Sequence, residues 1–247
     1  MIGALPNRIP KDIACSDDPR QRLIVALDVS SAASAQRLVA ALGDRALTYK
    51  VGMQLYTAEG PRVVRDLVSS GRQVFLDLKY HDIPHTVGAA VAEAAKLGVN
   101  MLTVHASGGT KMLTAAVEAA RVRPAVVVLA VTVLTSMGAE DLETIGMAGS
   151  LERSVVRLAK IALGNGCQGI VTSAREASAV RAALGHEFAI VTPGVRPAGM
   201  ASGDQVRVVT PAEAIAAGAS HIVVGRPITE AADPAAAAGA ILAEIGR

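Results

Sequence analysis

The residues able to do chemistry gather in a few short strings. The densest is FLDLKYHDIPHT, in which Asp77, Lys79 and Asp82 form the hexad Asp-x-Lys-x-x-Asp. Two further charges mark apolar runs: Asp28 closes LIVALD, and Lys50 lies in YKVG. Side chains two apart on an extended segment project to one face, so Asp77 and Lys79 share a side of their strand. A carboxylate beside an ammonium can transfer a proton or stabilise charge that develops on a bound molecule. Taken singly, each group would pass as a loop hydrogen bonder or a surface ion pair. Four of them on the first three apolar runs point to a site, because ionised groups held inside a protein are costly unless paired or used.

The second half supplies a different chemistry. Thr192-Pro193-Gly194-Val195-Arg196-Pro197 is followed by a polar stretch with Gly203, Asp204 and Gln205, and a later apolar run ends Val224-Gly225-Arg226. Backbone N–H groups freed by glycine, next to a permanently charged guanidinium, make a cradle for an anion such as phosphate. Either glycine alone would be explained by a tight turn. The connection from Pro197 to about Arg207 is long for a compact domain and reads as a lid. His81, His85 and His105 do not form a metal set, since Pro84 separates the first two in a loop that turns into a helix. His105 is expected to pack or hydrogen-bond at a rim, and His186 and His221 to be surface or core residues.

These strings need a scaffold that brings them together. Apolar, β-branched runs at Leu23–Asp28, Leu47–Met53, Val74–Lys79, Met101–His105, Ala125–Thr132, Gly169–Thr172, Phe188–Thr192 and Ser220–Gly225 read as strands buried on both faces. Helical stretches alternate with them: 32–42, 61–70, 86–97, 111–121, 151–163, 174–184, 211–217 and 228–245. Val87, Val91, Ala94 and Leu97 show the single apolar stripe expected of such helices. Eight strand-then-helix repeats with right-handed crossovers close most naturally into a (β/α)₈ TIM barrel, an α/β fold. A doubly wound open sheet is the structural alternative. No linker divides the chain, so residues 21–247 read as one catalytic domain behind a polar leader at 1–20. In a barrel the carboxyl ends of the strands form one mouth, and all the strings above fall there.

Composition narrows the possibilities. Lys plus Arg number 24 against 22 for Asp plus Glu, a balance unlike the basic footprint of nucleic-acid binders. Aromatics make up only 2% of the chain, too few for stacking platforms. No apolar run approaches the ~20 residues that would span a bilayer, and the first twenty lack a secretory core. Cys15 and Cys167 are far apart, so neither a disulfide framework nor a thiolate metal site is indicated. A cytoplasmic address is expected, with no nucleic-acid or membrane partner.

LIVALDV, YKVGMQLY, FLDLKYHDIPHTV, TVHASGG, AVTVLTSM, VTPGVRP, GDQ and VVGRPIT, in this order, resemble the blocks of orotidine 5′-phosphate decarboxylases, especially the bacterial form. The resemblance covers essentially the whole chain after residue 20. It implies that Lys50, Asp77 and Lys79 form a charge network completed by Asp82 from a neighbouring subunit of a homodimer. Lys79 would be the proton donor, Asp77 would lie beside the departing carboxylate, and Asp28 and Asp82 would hold ribose hydroxyls. Thr135 would contact the pyrimidine edge; Arg196, Arg226 and the Gly225 backbone would hold phosphate; Gln205 would bridge phosphate and base. The implied reaction is decarboxylation of orotidine 5′-phosphate to UMP, the last step of pyrimidine nucleotide synthesis, with no cofactor and no metal.

The hexad alone also resembles that of sugar-phosphate decarboxylases and hexulose-phosphate synthases, which hold Mg²⁺ but lack PGVRP followed by GDQ. A silent nucleotide-phosphate sensor is a third reading, though a sensor has no use for a proton donor.

Overall fold

The computed structural model describes residues 18–197 and 209–246. Eight strands follow one another in the chain: β1 (Leu23–Ala26), β2 (Thr48–Gly52), β3 (Gln73–Tyr80), β4 (Met101–His105), β5 (Val127–Val131), β6 (Gly169–Val171), β7 (Ala189–Thr192) and β8 (His221–Val224). Each pairs in parallel with its sequence neighbours. β8 then returns to β1 through Leu23↔Ile222, Ile24↔Val223 and Val25↔Val224, so the sheet is a closed barrel. That last pairing removes the open doubly wound alternative, which would leave two free edges. The fold is the (β/α)₈ barrel anticipated from the alternation of runs.

The near-continuous apolarity of the strands reflects two separate cores. Ile24, Ala26, Phe75, Leu129, Val131, Val191 and Val223 fill the barrel interior. The intervening residues, such as Val25, Tyr49, Leu76, Val128, Ile190 and Val224, pack outward against the helices. Gly169 shows how tightly the inner strands meet: a Cβ built there would lie 2.6 Å from the Ala189 carbonyl oxygen and 2.7 Å from Leu129 Cδ2. Side-chain-free backbone is what this approach requires.

Twelve helices of the described residues surround the barrel: α1 (Pro19–Arg22), α2 (Ala32–Leu42), α3 (Met53–Glu59), α4 (Pro61–Ser69), α5 (Pro84–Lys96), α6 (Gly109–Ala120), α7 (Ala139–Thr144), α8 (Leu151–Gly164), α9 (Ala174–Leu184), α10 (Pro211–Ala216), α11 (Arg226–Thr229) and α12 (Pro234–Ile245). Side-chain caps at Ser31, Ser150, Thr210 and Asp233 start four of them by satisfying orphan N–H groups. Three differ from expectation by existing at all: α1, α3 and α7 are short and sit in stretches with too few residues to show a helical period. The terminal helix read as 228–245 is two helices, because Asp233 caps a new start at Pro234. No helix of the described residues is long and apolar enough to cross a membrane.

Candidate active site

At the carboxyl end of the barrel lies a cavity of about 610 Å³. Its floor is the top of the inner core: Ala26, Phe75, Val131, Val171 and Val223. Asp28 lines the cavity from just after β1, Lys50, Asp77 and Lys79 from β2 and β3, Gly194, Arg196, Gly225 and Arg226 from the segments that follow β7 and β8, and Thr135 from the segment that follows β5. Eight of the ten residues singled out in the sequence therefore line one cavity, as convergence of strand ends demands.

The charged side is a chain of contacts. Lys50 Nζ donates to Asp28 Oδ1 at 2.8 Å and lies 4.0 Å from Asp77 Oδ2. Lys79 Nζ donates to the same Asp77 Oδ2 at 2.9 Å. Acid and base alternate as Asp28, Lys50, Asp77, Lys79. Lys50 and Asp77 are mostly buried at 12% side-chain exposure each, Lys79 is at 25%, and Asp28 opens to solvent at 54%. Two ammonium groups thus flank one carboxylate in the cavity wall.

The backbone that carries Lys79 is unusual. Among the described residues Lys79 is the one non-glycine with positive φ, at 53°. A side chain in this region costs about 1 to 3 kcal/mol, a strain found where the surroundings over-determine it. The surroundings here are a bulge: β3 and β4 pair Leu76↔Leu102 and Tyr80↔Val104, so Asp77, Leu78 and Lys79 all oppose the single residue Thr103. The irregularity re-aims the Lys79 side chain toward the cavity.

Two residues that sequence reasoning passed over support this network. Thr103, fully buried, donates to Asp77 Oδ1 at 2.9 Å and accepts from the Lys79 backbone N–H at 2.9 Å. Gly52 ends β2 beside the Lys50–Asp28 pair; a Cβ there would stand 2.9 Å from Lys50 Nζ and 3.2 Å from Asp28 Oδ1. Gln54 and Glu230 also border the cavity. The signals were faint: a threonine inside MLTVH and a glycine in KVG, each unremarkable in isolation.

Asp82 is exposed and does not line the cavity of its own chain; its Oδ1 accepts from the Ile83 N–H at 2.6 Å. Gln205, with most of the 197–207 connection, lies outside the described residues, but the feet of that connection are tied by the Val195↔Val209 bridge and by Arg196 N–H donating to the Val209 carbonyl at 3.0 Å. Arg196 is buried at 8% exposure, unusual for a guanidinium. His105 packs against His81 with ring centroids 5.2 Å apart. Burial pushes the His105 imidazole below its ordinary range, with His81 and Lys79 acting in the same direction and Asp77 against it. Among the described residues no three His, Cys, Asp or Glu side chains group as a metal site.

The family model for "Orotidine 5′-phosphate decarboxylase / HUMPS family" matches residues 21–241. The chain belongs to that family. A protein of Anaeromyxobacter sp. (strain K) named orotidine 5′-phosphate decarboxylase is 54% identical over 225 residues, which is 91% of this chain and 98% of that one. Its namesake in Halorhodospira halophila is 55% identical over 91% of this chain and 95% of its own length. Among solved structures, orotidine 5′-phosphate decarboxylase from Lactobacillus acidophilus superposes with a TM-score of 0.81 at 38% identity, covering 91% of this chain and 99% of that one.

Proposed function

We propose that the protein converts orotidine 5′-phosphate to UMP and CO₂, the closing step of pyrimidine nucleotide synthesis, and does so with its own side chains. One observation carries the reading. Lys79, its ammonium held by Asp77 and its backbone strained at a bulge, lines a cavity that also holds an apolar floor, two arginines and two glycines. Relatives bearing the decarboxylase name at about half identity over nine-tenths of the chain support the same substrate.

The chemistry asks for this arrangement. Carbon dioxide leaves from a vinylic ring carbon, and the bonding pair stays in an orbital orthogonal to the ring π system. No internal electron sink exists, so charge must be stabilised from outside as it appears. A fixed ammonium does this without reorganisation at the moment of reaction. The Lys79 nitrogen then gives its proton to that carbon; the new C–H bond completes UMP, and neutral Lys79 regains a proton from solvent. Asp77 borders the departing carboxylate and Lys50 holds Asp77 in turn, while Asp28 accepts from a ribose hydroxyl and Thr135 meets the base. Arg196, Arg226 and the Gly225 backbone take the phosphate, with Gln205 joining them. Distant phosphate contacts still lower the barrier if their binding energy closes the site and expels water.

Asp82 belongs to this reading through a second copy. Exposed, and outside its own cavity, it would reach the ribose of a partner's site in a homodimer. The reduced, buried Cys167 suits the cytoplasm, where this reaction would run.

Purified protein is expected to consume the ultraviolet absorbance of orotidine 5′-phosphate, with no loss of rate in chelator. Lys79→Ala should abolish turnover and keep the fold by circular dichroism. A rate that depends on added Mg²⁺, or a Lys79→Ala variant with substantial turnover, would overturn the assignment. For the shared site, Lys79→Ala and Asp82→Ala chains, each inactive alone, are mixed and allowed to re-pair. Half the dimers then carry one intact site, and about one quarter of parental activity returns. A mixture as inactive as its components would rule out the exchange of Asp82 between protomers.

A further inference from the structure

We propose that Thr103 is a positioning residue for the decarboxylation, holding the proton donor and its carboxylate partner in one closed hydrogen-bonded ring; this rests on the decarboxylase reading above. Thr103 is fully buried in β4 and is not among the residues that line the cavity, so it would act through Asp77 and Lys79. A hydroxyl offers one donor and accepts at its lone pairs. Here the Lys79 N–H donates to Thr103 Oγ1, and the Thr103 hydroxyl donates to Asp77 Oδ1. The other carboxylate oxygen of Asp77 accepts from Lys79 Nζ. The path therefore leaves the Lys79 backbone and returns to the tip of its own side chain.

The bulge explains why a side chain is needed. With three residues of β3 facing one residue of β4, the Lys79 N–H departs from the regular ladder. A buried N–H must find an acceptor, and Thr103 Oγ1 supplies it. That acceptor stabilises the positive φ of Lys79, which in turn sets the direction of the ammonium. Threonine suits the task because its branched Cβ restricts χ1 within a strand, so the hydroxyl is aimed before either partner arrives. Serine keeps the chemistry with a freer rotor; valine keeps the shape and removes both bonds.

The test compares parent, Thr103→Ser and Thr103→Val by steady-state kinetics on orotidine 5′-phosphate and by amide hydrogen exchange at Lys79. Thr103→Val is expected to lower kcat by tenfold or more with KM within about threefold, and to speed Lys79 exchange at least tenfold. Thr103→Ser is expected to stay within about threefold of the parent in all three. Should Thr103→Val not fold, Thr103→Cys takes its place, with weak, long sulfur bonds expected to cost about tenfold in kcat. A valine or cysteine variant with parental kcat, a loss confined to KM, unchanged Lys79 exchange, or a serine variant as impaired as valine would each overturn the proposal. A parent without turnover would instead sink the decarboxylase reading, and the exchange rates alone would then decide whether the ring exists.

Discussion

Gly52 shows how a residue with no side chain can shape a charged site. Its φ of −94° and ψ of −177° are open to any amino acid, so the backbone does not call for glycine. Space does: a methyl group at this position would crowd Lys50 Nζ and the Asp28 carboxylate, at 2.9 and 3.2 Å. Both are ends of side chains able to swing away, so the fold should tolerate alanine while the 2.8 Å ion pair should not. Gly52→Ala is therefore expected to lower kcat/KM for orotidine 5′-phosphate by about tenfold, the size of an effect near 1.4 kcal/mol, with a thermal midpoint close to that of the parent. Kinetics beside a melting curve check this. Parental kcat/KM would mean that the Lys50–Asp28 contact can shift at no cost to the reaction.

At the scale of elements, what was legible in the sequence depended on whether the information lay within a strand or between strands. Strand order, strand cores and the polar residues at strand ends are properties of single runs. Asp28, Lys50, Asp77, Lys79, Arg196, Gly225 and Arg226 are legible in this way and Thr135 only through the family resemblance, and all border one cavity. The β3 bulge is not such a property. It arises from register against β4, where Thr103 alone faces three residues, and nothing in QVFLDLKY announces it. The roles of Thr103 and Gly52 were hidden for the same reason: each acts on a residue of a neighbouring strand. Among helices, the split between α11 and α12 was written in Asp233-Pro234, a cap and a helix-starting proline inside an alanine-rich stretch that masks them. α3 was concealed between Gly52 and Gly60, too short for a stripe, and Gly60 at φ 64° ends it before Pro61 begins α4.

The molecule as a whole is held shut where its two ends meet. Closure joins Leu23 to Ile222, and the Arg22 guanidinium reaches across to the carbonyls of Ala219 and Ser220. His221 opens β8 at this seam, on the same side of its strand as Val223 and hence facing the barrel interior. It is 4% exposed, and its Nδ1 has no hydrogen-bond partner among the described residues. Burial, with the nearby Arg22 charge adding to it, pushes the imidazole from 6.5 down to about 4. The folded barrel therefore keeps this ring neutral while the unfolded chain protonates near 6.5, so between those values the unfolded state binds more protons. Stability is full above that window and falls as pH drops through it, by about 1.4 kcal/mol per pH unit and roughly 3 kcal/mol in all. Replacing the ring with an apolar side chain of similar volume removes both the proton uptake and the orphaned nitrogen, a change that can be neutral or stabilising. Denaturant unfolding at fixed protein concentration should place His221→Leu within about 1 kcal/mol of the parent at pH 7. At pH 5 the variant should lead by about 2 kcal/mol relative to that baseline. Parallel losses in both proteins between pH 7 and pH 5 would show that protonation of His221 does not govern the acid stability of the closed barrel.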